Sequence, residues 1–305
     1  MGSEVPFHVV DVFAASPLTG NPLALVPEAD ALSPATLAAI AREFNQSETT
    51  FLLRPTGKTA TWRLRSFTPA GVEVFGAGHN AMGAWLWLAR AGVLPSGETR
   101  FVQEIGDDLL GVELTWDAEG APIVTMEQSP PLFGAEIDAG RSAELARALG
   151  LGPGSLVSAD AAQVVSTGAP HLLVPVVDRD AVDAARPDSA ALLEVLRSVD
   201  AEGCYVYTES PAAGSAPDAG AAGTVAYARF FNPTAGIPED PATGTAAGPL
   251  VARLVVAGRV PAGAVAIVEQ GAALGRPSLL RVVVEGDRVR LSGSGLVVAD
   301  GVLHL

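Results

Sequence analysis

The chain has 305 residues, 49% of them apolar, and a formal net charge of −15. That length suits two domains of ordinary size, each with its own core, and the apolar content argues against a disordered chain. The acidic balance, with no basic stripe carrying interleaved aromatics, excludes nucleic acid and an anionic membrane surface as expected partners.

From the start of the chain, Phe7 to Val12 reads as a strand, and a turn-rich stretch from Ser16 to Pro22 leads to a second strand, Leu23 to Val26. Ser33-Pro34 is a helix start, a capping hydroxyl followed by proline at the first helical position. Leu37, Ile40, Ala41 and Phe44 then form an apolar stripe at helical spacing. That helix ends near Asn45, and Gln46 to Leu53 runs into another strand. Glu48 in this strand has two readings, an exposed edge carboxylate or a general acid/base flanked by Ser47 and Thr49. A carboxyl group shielded from water can both remove and return a proton.

Thr61 to Phe67 is a further strand, followed by the turn Ser66-Phe67-Thr68-Pro69 and the small residues Gly76-Ala77-Gly78 before His79-Asn80. Such residues let a backbone approach a ligand closely. Ala81 to Ala91 is apolar nearly all round, as expected of a helix buried at the centre of a lobe. His79 stands at its N-terminal lip, as a cap or as a site residue. Residues 99–127 read as strands with charged turns.

In the second half, Leu145 to Leu149 and Leu192 to Val199 read as helices, and Val164 to Val177 contains Thr167-Gly168-Ala169-Pro170. Cys204 to Thr208 is an apolar strand in which the single cysteine is a buried structural thiol. Glu209 to Gly223, rich in Ala, Gly, Pro and Ser, is expected to be a mobile loop. Thr224 to Phe231 is a strand, followed by Glu239-Asp240 and a Thr-Gly-Thr break with Thr245 or Thr243 as the N-cap. Ala246 to Ala257 is a second buried helix, with Pro249 within about its first turn. Ile267 to Gln270, Leu279 to Val284, Arg288 to Ser292 and Leu296 to Val298 close the chain as strands.

The landmarks recur. Phe67 and Phe231 stand before corresponding turns, Gly83 and Gly248 inside corresponding helices, and Thr19-Gly20-Asn21-Pro22 echoes Thr167-Gly168-Ala169-Pro170. The difference in spacing fits an insertion in the second half, for which Glu209–Gly223 is the candidate. The pattern is an internal duplication of α/β (α+β) class. It gives two pseudo-symmetric lobes, 1–127 and 128–305, each a curled, mostly antiparallel sheet around a central apolar helix, with a return of the last strand to the first lobe left open. Helix N-termini hold anions, and a cleft between lobes is a favoured ligand site, so a small carboxylate is the expected ligand. One cysteine excludes a disulfide framework, and His8, His79, His171 and His304 fall at no ligand spacing. No metal and no cofactor is expected. No basic segment followed by an apolar core opens the chain, and no apolar run reaches about 18 residues, so neither a signal peptide nor a membrane span is expected. The expected location is the cytoplasm.

The motifs Thr19-Gly20-Asn21-Pro22, Asn45-Gln46-Ser47-Glu48-Thr49, Phe67-Thr68-Pro69, Gly78-His79 and Gly236-Ile237-Pro238-Glu239-Asp240-Pro241-Ala242-Thr243-Gly244 resemble the phenazine-biosynthesis isomerases, the PhzF-like family. Gln270-Gly271 and Gly275-Arg276-Pro277-Ser278 look like that family's closing motif. The resemblance spans essentially the whole chain and implies the diaminopimelate epimerase-like fold, a homodimer, and trans-2,3-dihydro-3-hydroxyanthranilate as substrate. It implies Glu48 as the acid/base, with His79 and Asp240 beside the substrate. Gly78, Gly244 and Thr245 would be donors to its carboxylate, and Ser47 and Asn80 would complete the binding set. The paired cysteines of the epimerases of this fold are absent. The family commonly reads Pro-Phe-Ala-Gly-His-Pro where this chain has Val74-Phe75-Gly76-Ala77-Gly78-His79-Asn80. The alternative among enzymes is an epimerase or isomerase of another amino or hydroxy acid using Glu48 and Asp240, and the alternative from a different class is a non-catalytic binder of a small carboxylate.

Overall fold

A computed structural model describes residues 4–138, 140–209 and 224–305, so the expected loop lies outside the described residues except for Glu209. The chain divides into two compact units, Met1–Glu127 with Ser292–Leu305, and Gln128–Leu291. In chain order the strands and helices of the first half are β1 (Glu4–Val12), β2 (Asn21–Val26), α1 (Pro34–Phe44), β3 (Thr49–Leu53), β4 (Trp62–Phe67), β5 (Glu73–Val74), α2 (His79–Ala91), β6 (Arg100–Ile105), β7 (Asp108–Trp116) and β8 (Pro122–Gln128). There follow β9 (Leu132–Glu136), α3 (Ser142–Ala148), β10 (Gln163–Ser166), β11 (Pro170–Pro175), α4 (Arg179–Ala184), α5 (Ser189–Arg197) and β12 (Gly203–Thr208). The chain continues through β13 (Thr224–Asn232), β14 (Ile237–Asp240), α6 (Gly244–Val256), β15 (Val265–Gln270), β16 (Ser278–Glu285), β17 (Arg288–Gly293) and β18 (Gly295–His304).

Within the first unit, β1 pairs antiparallel with β2, β2 parallel with β3, and β3 antiparallel with β4. Strand β4 pairs antiparallel with the short β5 and parallel with β6, which pairs antiparallel with β7. The second unit repeats this sequence of pairings strand for strand, from β10–β11 through β11–β12, β12–β13, β13–β14 and β13–β15 to β15–β16. Even the outer neighbours correspond, since β18 flanks β1 and β9 flanks β10. The duplication read from the motifs is therefore a duplication of topology.

Each sheet curls because one helix touches strands far apart in it. Helix α2 packs on β1, β2, β3 and β18, yet Trp85 also reaches β6, donating its indole N–H to Gln103 at 2.9 Å and meeting the Phe101 ring at 5.3 Å. Helix α6 packs on β10, β11 and β16. A helix enclosed this way has no polar face, and Met82, Ala84, Trp85 and Leu88 of α2 are fully buried. The repeated glycines mark where helix and sheet come closest. A Cβ at Gly83 would stand 2.6 Å from Leu23 Cδ2, and one at Gly248 would overlap the Gln128 amide.

The Ser33 cap accepts the Thr36 N–H, and Asn45 ends α1 in the left-handed region, φ 51°. Cys204 is fully buried, and burial pushes its thiol upward in pKa. Three expectations are corrected and one helix is added. Both buried helices begin two residues earlier than read, at His79 and Gly244, because glycine-rich starts carry no apolar signal. Pro249 is the sixth residue of α6 rather than in its first turn, which leaves the Thr245 carbonyl without its usual N–H partner. The added helix is the short α4, which Asp178 caps by accepting the Ala181 N–H at 2.8 Å. Strand β18 runs to His304 rather than ending at Val298, continuing through a register shift opposite Val9 and Val10. No helix among the described residues is long and apolar enough to cross a membrane.

Candidate functional site

Glu48 directly precedes β3 rather than lying within it. The strand still fixes it, since Thr49 pairs with Ala24 on one side and Phe67 on the other and is fully buried. Its Oε2 lies 3.8 Å from His79 Nδ1, the carboxylate side chain 17% exposed and the imidazole 9%. On the other edge of the ring, Nε2 stands 3.4 Å from Ser47 Oγ. Ser47, Glu48 and His79 thus form one cluster. Burial lowers the His79 pKa to about 4, so near neutral pH the imidazole is uncharged. At 3.8 Å the carboxylate is beyond direct hydrogen-bond reach, consistent with desolvation being the dominant influence on this ring.

His79 is the first residue of α2, and Gly78 before it makes no side-chain cap. The first-turn N–H groups of a helix lack intrahelical acceptors and suit an anion. Gly78 itself is not one of the donors on offer. Its N–H goes to Asn80 Oδ1 at 2.7 Å, while Asn80 Nδ2 donates to the Gly76 carbonyl at 2.9 Å and to Ser66 Oγ at 3.1 Å. Ser66 in turn meets Thr50 Oγ1 at 2.9 Å. Asn80, fully buried, therefore locks the glycine turn from inside. It shapes this helix start rather than presenting its amide to solvent.

The corresponding start in the second unit is built differently. Glu239 and Asp240, adjacent in β14, take opposite directions because strand side chains alternate. Glu239 accepts two hydrogen bonds from Arg229, at 2.8 and 2.7 Å. Asp240 turns to the helix start and accepts the Thr243 hydroxyl. Thr243 occupies the N-cap position but makes no side-chain cap, its hydroxyl being engaged with Asp240. Gln270, which the sequence offered only as part of a closing motif, ties the segment together. It donates to the Asp240 carbonyl at 2.7 Å and to Thr243 Oγ1 at 3.1 Å, and it accepts from Thr243 N at 3.1 Å and Tyr205 Oη at 2.9 Å. Burial and Asp240 raise the Tyr205 phenol pKa, so it stays a donor. Gly244 opens α6, with its carbonyl held by Gln128 Nε2 at 3.0 Å. Thr245 Oγ1 lies 3.2 Å from His171 Nε2, a partner that no motif signalled.

Strand register makes the two starts comparable. Thr50 opposes Ser66 in the first unit, and Tyr205 opposes Phe230 in the second. Counting back two residues sets Gly203 in the place of Glu48. The acid/base candidate thus exists in one copy, and the second copy has an aromatic ring and an imidazole there instead, 4.9 Å apart in an edge-on contact.

Among the described residues no group of three or more His, Cys, Asp or Glu side chains is placed to hold a metal ion. A family model described as phenazine biosynthesis-like protein matches residues 10–301. The chain is 33% identical to a trans-2,3-dihydro-3-hydroxyanthranilate isomerase of Pseudomonas fluorescens, covering 98% of this chain and 99% of that one. It is 32% identical to an uncharacterized isomerase of Escherichia coli K12, over 96% and 95% of the two chains. Among solved structures, a PhzF-family phenazine biosynthesis protein of Bacillus anthracis superposes with TM-score 0.87 at 26% identity, covering 99% of this chain and 100% of that one. A hydroxyproline epimerase of Agrobacterium vitis, 14% identical, shares the fold with TM-score 0.67 over 100% and 94% of the two chains.

Proposed function

The chain belongs to the phenazine biosynthesis-like family, and from that premise we propose that it moves a proton between two carbons of a small cyclic carboxylate. It is an isomerase of the PhzF type. The proposed substrate is trans-2,3-dihydro-3-hydroxyanthranilate, the compound in the name of the Pseudomonas relatives. The observation that carries the reading is Glu48 Oε2 standing 3.8 Å from the buried, neutral His79 at the start of α2.

In the proposed reaction Glu48 takes the proton from the ring carbon that bears the hydroxyl. The electron pair left behind moves into the diene, and the carboxyl returns the proton to a carbon further along it. The enol so formed becomes the aminoketone by tautomerisation. No proton or electron is gained or lost overall, so no redox partner enters. His79, held by Ser47, borders the carboxyl group and limits its hydration, which favours proton return to carbon over loss to water. Asp240 is assigned to the substrate as a second proton-handling group. Gly244 and Thr245 are assigned to its carboxylate, and Gly78 and Asn80 to the shape of the α2 start. A cytoplasmic homodimer is the setting proposed with this reading.

The test is proton NMR of trans-2,3-dihydro-3-hydroxyanthranilate in deuterated water with wild type and Glu48→Gln. Conversion by wild type alone supports the reaction and the role of Glu48. Equal conversion by both overturns the role of Glu48, and broadening of ligand signals without conversion overturns the substrate.

A further inference from the structure

In the duplicated frame His171 occupies the place of Leu23. Leu23 is an apolar contact for Gly83 of α2, whereas His171, 2% exposed, puts a ring nitrogen against the start of α6. We propose that His171 is a positioning residue that makes the Thr245 hydroxyl a hydrogen-bond donor to a carboxylate at the start of α6. This rests on the reading of Gly244 and Thr245 as the residues that hold the substrate carboxylate.

The argument is about which ring nitrogen carries the proton. His171 Nδ1 is buried and has no hydrogen-bond partner. Its surroundings are the Gly203 backbone and the Phe230 ring, a Cβ at Gly203 standing 2.4 Å from Phe230 Cζ and 3.2 Å from Nδ1. Buried N–H groups without an acceptor are rare, and a bare acceptor in such a place is tolerated more often. The Phe230 ring, its centroid 4.9 Å from that of His171 at an interplanar angle of 78°, brings no nitrogen or oxygen acceptor to that side. Nδ1 is therefore the bare nitrogen and Nε2 bears the hydrogen. Burial lowers the pKa of His171 to about 3, so the ring stays neutral and a single tautomer is at issue.

With the hydrogen on Nε2, the 3.2 Å contact runs from His171 to Thr245 Oγ1. A threonine hydroxyl has one hydrogen and two lone pairs. Accepting from His171 leaves its own hydrogen to be donated elsewhere. Thr245 is the second residue of α6, in the turn whose N–H groups have no intrahelical acceptors. Its hydroxyl hydrogen and these N–H groups are then donors of one sign, suited to an anion. The opposite tautomer would draw the hydroxyl hydrogen toward the imidazole and present lone pairs instead.

Two measurements test this. Nitrogen-15 NMR of histidine-labelled wild type reads the tautomer directly, the resonance of His171 being assigned by its loss in His171→Phe. Protonated Nε2 with bare Nδ1 is expected, and the reverse overturns the proposal. Calorimetric titration then compares anthranilate, which carries the carboxylate and does not turn over, with anthranilamide, which lacks the charge. His171→Phe is expected to weaken anthranilate about tenfold, the size of one hydrogen bond to a charged group, and to leave anthranilamide unchanged. His171→Gln is expected to restore much of the loss, and in a Thr245→Val background His171→Phe should have no further effect. Equal losses for both probes, a further loss in that background, or no anthranilate binding by wild type would each overturn the proposal. Turnover is read separately, so a wrong assignment for Glu48 would leave the tautomer and the probe selectivity intact.

Discussion

The guanidinium of Arg229 and the carboxylate of Glu239 meet through two parallel hydrogen bonds across β13 and β14. The same pair stands in the first unit as Arg65 and Glu73, joined by two bonds of 2.7 Å across β4 and β5. Each arginine also lies over the phenylalanine two residues on, Arg65 at 5.1 Å from the Phe67 ring and Arg229 at 5.0 Å from that of Phe231. Duplication has kept this clamp, which holds the short hairpin ahead of each buried helix. It also explains why Glu239 is structural while its neighbour Asp240 faces the helix start.

The two clamps differ in burial, with side-chain exposures of 6% and 12% for Arg229 and Glu239 against 18% and 25% for Arg65 and Glu73. Glu239→Gln leaves a buried cation that still has the carbonyls of Val182, Asp183 and Ala185 but has lost its paired carboxylate, with only the Asp183 charge nearby. A loss of about 3 kcal/mol is expected, and about 1 kcal/mol for Glu73→Gln. Urea midpoints check both, and equal losses would contradict the burial argument.

Two buried neutral histidines shape the acid limb of stability. The pKa values of His79 and His171 are lowered from 6.5 to about 4 and about 3. Above pH 6.5 neither folded nor unfolded chain protonates them, so they add no pH dependence. Below it the unfolded chain binds the proton first, and stability falls as pH drops, by up to about 1.4 kcal/mol per unit for each. His171→Phe should make the decline between pH 6.5 and 4 shallower than in wild type, read from urea unfolding at stepped pH. Parallel curves would mean that His171 is already protonated in the folded protein.

Close helix packing predicts the response to added methyl groups. In Gly83→Ala the new Cβ meets Leu23 Cδ2 at 2.6 Å and Val12 Cγ2 at 2.8 Å, and about 1–3 kcal/mol of destabilisation is expected. Gly248→Ala should be the more damaging. It must displace Gln128, which holds the Gly244 carbonyl and accepts the Thr167 hydroxyl at 2.8 Å. Thermal unfolding of the two variants orders them.

Asn80 stands where the family commonly has proline. Asn80→Ala removes the acceptor of the Gly78 N–H and the donor to the Gly76 carbonyl, and a loss of about 1–3 kcal/mol is expected. Asn80→Asp keeps the acceptor for Gly78 but sets a buried carboxylate oxygen against the Gly76 carbonyl, so it should be no more stable than the alanine variant. Hydrogen exchange at Gly78 reports the difference, rising in the alanine variant first.

Much of the fold was legible because its signals are local. Ser33-Pro34 marks a helix start by chemistry that needs no partner, and the apolar faces of α2 and α6 announce their own burial. The repeated Phe and helix Gly landmarks exposed the duplication because each serves a close contact in both copies, Phe67 and Phe231 beneath an arginine and Gly83 and Gly248 against a neighbouring side chain. Glu48 and His79 were legible by resemblance, and their neighbourhood needed the coordinates. What stayed hidden depends on distant residues. The β18 extension past Val298 is written in its pairing with β1, across nearly the whole chain. Gln270 and His171 gain their roles only through partners that strand register brings to the start of α6. Even the choice between Glu239 and Asp240 rests on Arg229, ten residues away on a neighbouring strand.

The placement of β18 also sets a schedule. Strand β1 is made well before the strand that covers one of its edges, Gly295–His304, and residues 128–291 must leave the ribosome in between. At about 5–20 residues per second that interval is on the order of 10 to 30 s. Throughout it the first unit carries an open strand edge, a hazard for mispairing that folded sheets avoid. The half of the chain synthesised first is thus the one whose sheet closes last, and nascent-chain handling should matter most there.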